Sequence, residues 1–337
     1  MPALPNEIIL HIIKCLIPSS PPVAFAPWHL VTRTLINLTL VSSLTSRTAK
    51  HLLLKHCLYL DSEERLAKLI SLRQQSLIDL TAASPEGLFL APFPKDNLHC
   101  LSIAQNVSLL LSDISGKLTR LVINMPLRFL WPEDDTHHVR PVLREAFSSL
   151  TALEEFCSMQ DELFLDTREH GQFWVWKTWP RLRCLALYNA CLDSAMFFES
   201  IRECSNLTHL VLTRADGLYY GAPEDPAGYG SLTQLKRAIV VNTERAFLSD
   251  MRGEGNLAPA EDTLLGKLKS AWLSNNVGRA CAEKPESDNF CMAVEVPIPP
   301  DLVEDDQCDI SLCQKWVGAR AIDGTLWDMS GTPFLYW

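Results

Sequence analysis

His137 and His138 directly follow Glu133-Asp134-Asp135, and imidazoles beside carboxylates are the raw material of metal ligation and acid–base catalysis. Adjacent histidines leave a strand on opposite faces, and no third ligand stands at a matching spacing. The stretch therefore reads as a solvated loop. A hydrolase using His137, His170 or His209 would need a pocket of converging polar groups. The chain carries no Walker loop, no Gly-x-Ser-x-Gly elbow, no His-Glu-x-x-His and no Gly-x-Gly-x-x-Gly. Its 11 cysteines include no Cys-x-x-Cys pair. Cys281, Cys291, Cys308 and Cys313 come nearest to a cluster, at spacings that match no common zinc module. Glu304-Asp305-Asp306 lacks the alternating ligands and central glycine of a calcium loop. The expectation is a protein with no catalytic residues, no metal and no cofactor.

Binding rather than chemistry is the better use of what remains. Phe173-Trp174-Val175-Trp176-Lys177-Thr178-Trp179 is the densest aromatic run. It has two readings: a platform for a sugar or peptide, or rings filling the gap under an inserted loop, where aromatics supply large buried area. The glycine- and proline-bearing stretch from Gly217 to Gly230 reads as a long surface loop.

Composition sets outer limits. With 337 residues, 47% hydrophobic and 21% charged, the chain is globular and long enough for one or two domains. A net charge of −10 without a basic run argues against nucleic acid as a partner. The richest apolar run, Ile8 to Ile17, is broken by His11 and Lys14, so no membrane span is expected. An odd cysteine count and the lack of a secretory signal favour a reducing compartment, cytoplasm or nucleus.

The elements that would position a binding surface come from a weak repeat. Leu-x-x-Leu-x-apolar begins at Leu98, Leu118, Leu182 and Leu207, with partial copies at Leu150 and Leu232. The intervals are of the order of the roughly 20–29 residues of a leucine-rich repeat, with insertions. Alternation within each copy predicts a strand whose leucines share one face. Helix-like stretches such as Ser194 to Cys204 lie between copies. The expected fold is therefore α/β: an irregular leucine-rich-repeat-like solenoid with a parallel sheet lined by helices. Leu58-Tyr59-Leu60 is its first strand, followed by a helix through Leu66, Leu69 and Ile70 with an Asp61/Glu64 capping box. Thr263 to Leu273 reads as a further helix, and the aromatic tail from Leu326 to Trp337 as a cap on the solenoid end.

The N-terminal stretch is different. Pro5 suits the first helical position and Glu7 the first turn. Ile8, Ile12 and Leu16 make one i, i+4 row, with Ile9 and Ile13 beside it. So short and so apolar a helix must dock onto something. The proline-bearing loop from Ile17 to Trp28 reads as an exposed, dispensable connection.

Leu4-Pro5-Asn6-Glu7-Ile8, then Leu35-Ile36-Asn37-Leu38-Thr39-Leu40-Val41-Ser42 and a helix from Ser43 to Lys55, resemble an F-box. Ser43 stands where that family usually has a basic residue. The segment from His56 to Ser62 with Arg65-Leu66 is similar to the end of the F-box in many fungal members, which often carry irregular repeats behind it. The resemblance implies three helices over residues 1–60, a solenoid over 61–260 and a capping segment over 261–337. It also implies a substrate-receptor subunit of a Skp–cullin–F-box ubiquitin ligase, a protein–protein interaction module with no reaction of its own. Leu4, Pro5, Ile8, Ile12, Leu16, Leu40 and Val41 would face a Skp-type adaptor, and through it a cullin. A target protein of unknown identity would meet the outward residues of the strands and the following loop, with Arg120, Tyr188, His209 and Tyr219 as anchors. The alternative is a stand-alone solenoid scaffold whose first helix caps its own repeats.

Overall fold

The protein is mixed α/β; its described residues build a nine-stranded sheet whose strands follow one another in chain order. The computed structural model describes residues 5–94, 98–167, 172–192, 194–222, 234–247, 258–276, 290–300 and 306–334. The strands are β1 (Tyr59–Leu60), β2 (Gly87–Leu90), β3 (Arg120–Ile123), β4 (Glu155–Ser158), β5 (Cys184–Tyr188), β6 (His209–Thr213), β7 (Arg237–Thr243), β8 (Cys291–Val296) and β9 (Thr332–Pro333). The first eight are parallel; β9 returns antiparallel on β8.

The register explains which leucines recur. Leu88, Leu121, Phe156, Leu185, Leu210 and Ala238 are successive partners across the sheet. They point into one large apolar core. That core is closed from outside by α4 (Glu63–Gln74), α6 (Leu101–Ile114), α7 (Val139–Ser148), a 3-10 turn at Val175–Thr178, α8 (Ala195–Glu203) and α9 (Leu264–Asn276). A short α5 (Leu80–Ala83) precedes β2. The copies beginning at Leu118, Leu182 and Leu207 form strands where expected. The copy beginning at Leu98 does not: Leu101–Ile114 is helix α6, and the strand of that unit is Gly87–Leu90. Three apolar residues at Leu98, Leu101 and Ile103 fit either period, and Ile103, Val107, Leu110, Leu111 and Ile114 continue the helical one. The expected Asp61/Glu64 capping box does not form: Ser62 alone caps α4, accepting from the Arg65 amide at 3.4 Å, while Asp61 pairs with Arg65 at 3.0 Å.

The opposite face of the sheet is not open. Phe89, Val122, Cys157, Ala186, Val211 and Ile239 run along it as register partners. They form a second core with Cys313, Val317 and Ala321 of α10 (Asp306–Asp323) and with Leu326, Trp327 and Met329 beyond it. A parallel sheet needs cover on both sides. Here the C-terminal helix lies across the strands and supplies it. Polar contacts fix both of its ends. Asp309 accepts from Arg245 Nε at 2.7 Å and from Thr243 Oγ1 at 3.0 Å. At the far end the Val23 amide donates to the Ile322 carbonyl at 2.7 Å. The Trp327 indole donates to Glu155 Oε2 at 3.1 Å.

That N-terminal connection to α10 overturns the reading of residues 17–28 as a dispensable loop. Val23, Ala24 and Phe25 are buried, Val23 and Ala24 inside the second core. Arg120 donates to the carbonyls of Pro21 at 2.9 Å and Pro22 at 3.3 Å. The approach to β2 is so close that a Cβ on Gly87 would lie 2.0 Å from the Val23 carbonyl oxygen. Prolines here set an extended path along the sheet rather than marking a free connection. Only Trp28 of this segment's aromatics stays exposed, its ring edge-on to Tyr59.

Three helices precede the sheet: α1 (Asn6–Lys14), α2 (Leu30–Leu38) and α3 (Ser43–His56). Ser42 and Thr45 exchange side-chain and backbone hydrogen bonds as a capping box that starts α3. Ile13, Leu35, Ala49 and Leu52 make a small separate core, against which Ile9, Leu16, Val31 and Leu38 are half-buried.

Gly87→Ala is expected to destabilise the protein by about 1–3 kcal/mol through overpacking against backbone. Thermal melting measures the loss, and limited proteolysis should show new cleavage within residues 18–27. An unchanged melt would mean that the segment moves aside without cost.

Candidate functional site

Two surfaces combine exposure with chemistry. The first lies on the N-terminal helices. Within α1 the Ile9/Ile13 row turns to the helix core, so the Ile8/Ile12 row faces out, at 46% and 54% exposed. Leu40, in the turn between α2 and α3, is 84% exposed, and Val41 and Ile36 are exposed with it. Pro5 is exposed as the N-cap of α1. Leu16 is half-buried against the helix core, and Leu4 lies outside the described residues. Ile36, Trp28 and Leu30 extend the exposed apolar set beyond the residues expected from sequence. For Leu30 and Ile36 the signal was position within the short helix α2, legible only once the buried row was known; Trp28 lies in the turn before it.

The second surface is built where β3 and β4 hand over to their helices. The 3-10 turns Leu127–Phe129 and Pro132–Asp134 project Phe129 at 81% and Trp131 at 52% exposure. Underneath, Arg140 is fully buried. It donates to the carbonyls of Leu127 at 3.1 Å and Phe164 at 2.8 Å, and also to those of Leu130 and Asp166. Burial pulls its pKa down, against the raising influence of Asp166, Asp161 and Asp135. Asp135, expected in a solvated loop, is buried instead. Its two carboxylate oxygens accept the Val139 and Arg140 amides at 2.8 Å each, which starts α7. His138 just before it is in the left-handed region, φ 58°.

Beside this lies a buried acidic pair. Asp161 accepts the amides of Leu163 at 2.7 Å, Arg128 at 3.1 Å and Phe164 at 3.3 Å. Desolvation pushes its carboxyl up, against those amides. Glu162 is bonded to Arg128, yet burial pushes its pKa up to about 7. Arg128 also donates to the Asn189 carbonyl at 2.9 Å. These groups hold loops together: Asp161 accepts mainly backbone amides, and Glu162 is tied to Arg128, which also reaches the Asn189 carbonyl.

The other sequence candidates fall into place separately. Trp176 and Trp179 are buried in the main core, so most of the aromatic run is filling, while Phe173 stays exposed under the Lys177 ammonium. His137 is exposed, its ring 6.5 Å from that of His99, and His170 lies outside the described residues. His209 Nδ1 is 2.9 Å from Thr208 Oγ1 and 3.8 Å from Cys184 Sγ. Burial pushes the Cys184 thiol up to about 12 and lowers the His209 pKa, the opposite of the shift that generates a thiolate. Tyr188 is buried; Arg120 is held by the proline carbonyls; Tyr219 stacks on Phe334 at 5.8 Å between centroids. The strand face assigned to a target is thus occupied by α10 and residues 21–25. The loop after Tyr219 falls largely outside the described residues, from 223 to 233. Cys291 and Cys313 lie in the two cores on opposite faces of the sheet, and Cys281 lies outside the described residues. Among the described residues no three His, Cys, Asp or Glu side chains converge as a metal site. Among them, too, no helix is long and apolar enough to cross a membrane.

No protein-family model matches the chain, and no curated protein matches it.

Glu162 gives a pH signature. Its pKa is raised in the folded state above the ordinary 4.5. The folded protein therefore holds a proton that the unfolded chain releases, and stability falls as pH rises from about 4.5 to about 7. Glu162→Gln removes this. The variant's melting temperature relative to wild type should rise between pH 5 and pH 8; a pH-independent difference would show Glu162 to be ionised throughout.

Proposed function

We propose that the chain is an F-box type substrate receptor: α1 to α3 dock on a Skp-type adaptor of a cullin ligase, and the repeat body, a leucine-rich-repeat-like solenoid, presents a target protein. The observation that carries the reading is the division of labour within α1. Ile8 and Ile12, which match the family's contact positions, are exposed, while Ile13 one helical face away is buried in a helix core of its own. Leu40 and Val41, the matching residues of the second part, are exposed as well. Exposed apolar residues grouped on one helical module mark a protein-interaction surface. Such a receptor makes no bonds; it raises the effective concentration of target at the transferring enzyme.

A stand-alone scaffold is the second reading, and one observation favours it. The N-terminal segment is stitched to the rest of the fold, with the Phe25 amide bonded to the His56 carbonyl at 2.8 Å and the Val23 amide to the Ile322 carbonyl. In that reading the three helices simply cap the β1 edge.

Ile12→Asp separates the two. Burying an isoleucine at an interface is worth about 1.5–3 kcal/mol, and a buried carboxylate adds a desolvation cost. Co-purification with a Skp-type adaptor should be lost, with an unchanged melting temperature because Ile12 belongs to no core. Full retention of adaptor by the variant, or no capture by wild type, would leave the scaffold reading.

A further inference from the structure

We infer that the turn from Phe129 to Asp134 is the docking surface for a basic, apolar segment of a partner protein, one in which arginine or lysine neighbours a large apolar side chain. The inference deepens the receptor reading above and rests on it for calling that partner the target.

Three independent observations carry it. The aromatic pair is exposed where the chain had every means to bury it. Met125, Leu127 and Leu130, interleaved with Phe129 and Trp131, are all buried, so the turn is anchored and its two largest rings are the residues turned out. Trp131 is steadied edge-on by Phe164 at 5.7 Å, and Phe164 rests on the Arg140 guanidinium at 4.5 Å. Preorganisation is the second observation. Arg140 ties the carbonyls of Leu127 and Leu130 to those of Phe164 and Asp166, and Arg128 ties the same turn to Asp161, Glu162 and the Asn189 carbonyl. A rigid aromatic anchor loses little entropy on binding.

Charge is the third. Glu133 and Asp134 follow Trp131 after the intervening Pro132, are open to solvent, and make no ion pair among the described residues. Among the described residues the neighbouring arginines bond or pair elsewhere: Arg128 to Glu162, Arg140 to four carbonyls, and Arg144 to Asp166 and the Phe173 carbonyl, so that Glu133 feels the buried Arg140 charge without a direct ion pair. The turn therefore offers two aromatic faces beside two solvent-exposed carboxylates that no described cation pairs directly. A guanidinium or ammonium satisfies both, pairing with the carboxylates and stacking on the indole, while its apolar neighbour covers Phe129.

The probe is a random peptide library displayed on phage, selected on the full wild-type chain and counter-selected on two variants. Trp131→Ala removes the anchor; Glu133→Lys with Asp134→Lys reverses the charge. All three changes are at exposed positions, and thermal melts verify folding. The expected outcome is enrichment of sequences pairing Arg or Lys with a large apolar residue. A synthetic peptide from that set should bind about tenfold or more weakly to either variant, and more weakly as salt rises. Enrichment of acidic or charge-indifferent sequences, no enrichment, or undiminished binding to both variants overturns the assignment. Adaptor capture is measured on the same samples. Its absence in wild type with peptide binding intact overturns the receptor reading alone, and the converse overturns this surface alone.

Discussion

A parallel sheet has no face that tolerates water well, because crossover connections lay helices against it and leave both faces apolar. In this chain the leucine face is covered by the helices that lie between successive strands. The other face is covered by elements drawn from opposite ends of the sequence, residues 21–25 and helix α10 with its tail. Their meeting point, the Val23 amide on the Ile322 carbonyl, closes that layer. Most else follows from it: Gly87 must lack a side chain, Arg120 must turn to proline carbonyls, and Trp327 must cross to Glu155.

Closing both faces also decides where recognition can happen. A strand face flanked by exposed residues would have been a broad concave platform. Here Ala186, Val211 and Ile239 on that face are core residues. Of the sheet itself, what remains accessible is the rim, where strands hand over to helices. There the chain puts backbone into irregular turns and stiffens them with buried charge: Asp135 on α7, Arg140 on four carbonyls, Asp161 on three amides. Buried ions of this sort add little net stability, but they fix one loop arrangement among many, since breaking them leaves an uncompensated charge.

The legible part of the fold was the part governed by local period. Leu118 to Ile123, Leu182 to Leu187 and Leu207 to Leu212 read as strands and are strands, and Ser194 to Cys204 holds helix α8. The amphipathic rows of α1 were also visible, although which row faces out needed the fold. Period failed where two fit equally, as at Leu98 to Ile103, and where a strand is a short continuous apolar run, as in Gly87–Leu90. It could not announce α10 as the second layer, because Cys313, Val317 and Ala321 are small residues amid charges, and where a helix lands is a tertiary fact. The same holds for residues 17–28: prolines punctuate loops and extended core segments alike. Phe129 and Trp131 were not legible because their surroundings, Pro126, Pro132 and three acids, look like any exposed turn; only the burial of the alternating residues makes their exposure informative.

Helix α10 is an integral layer of the sheet rather than a cover that lifts, and native-state hydrogen exchange tests this directly. An integral layer requires that amides of residues 312–321 open only with the strands they cover. They should then exchange with the same free energy and the same denaturant dependence as those of β5 and β6. The contradicting result is exchange of the α10 amides by a local opening insensitive to denaturant while β5 and β6 stay protected. In that case the helix lifts independently, the strand face carrying Arg120, Tyr188 and His209 becomes reachable, and recognition is not confined to the rim.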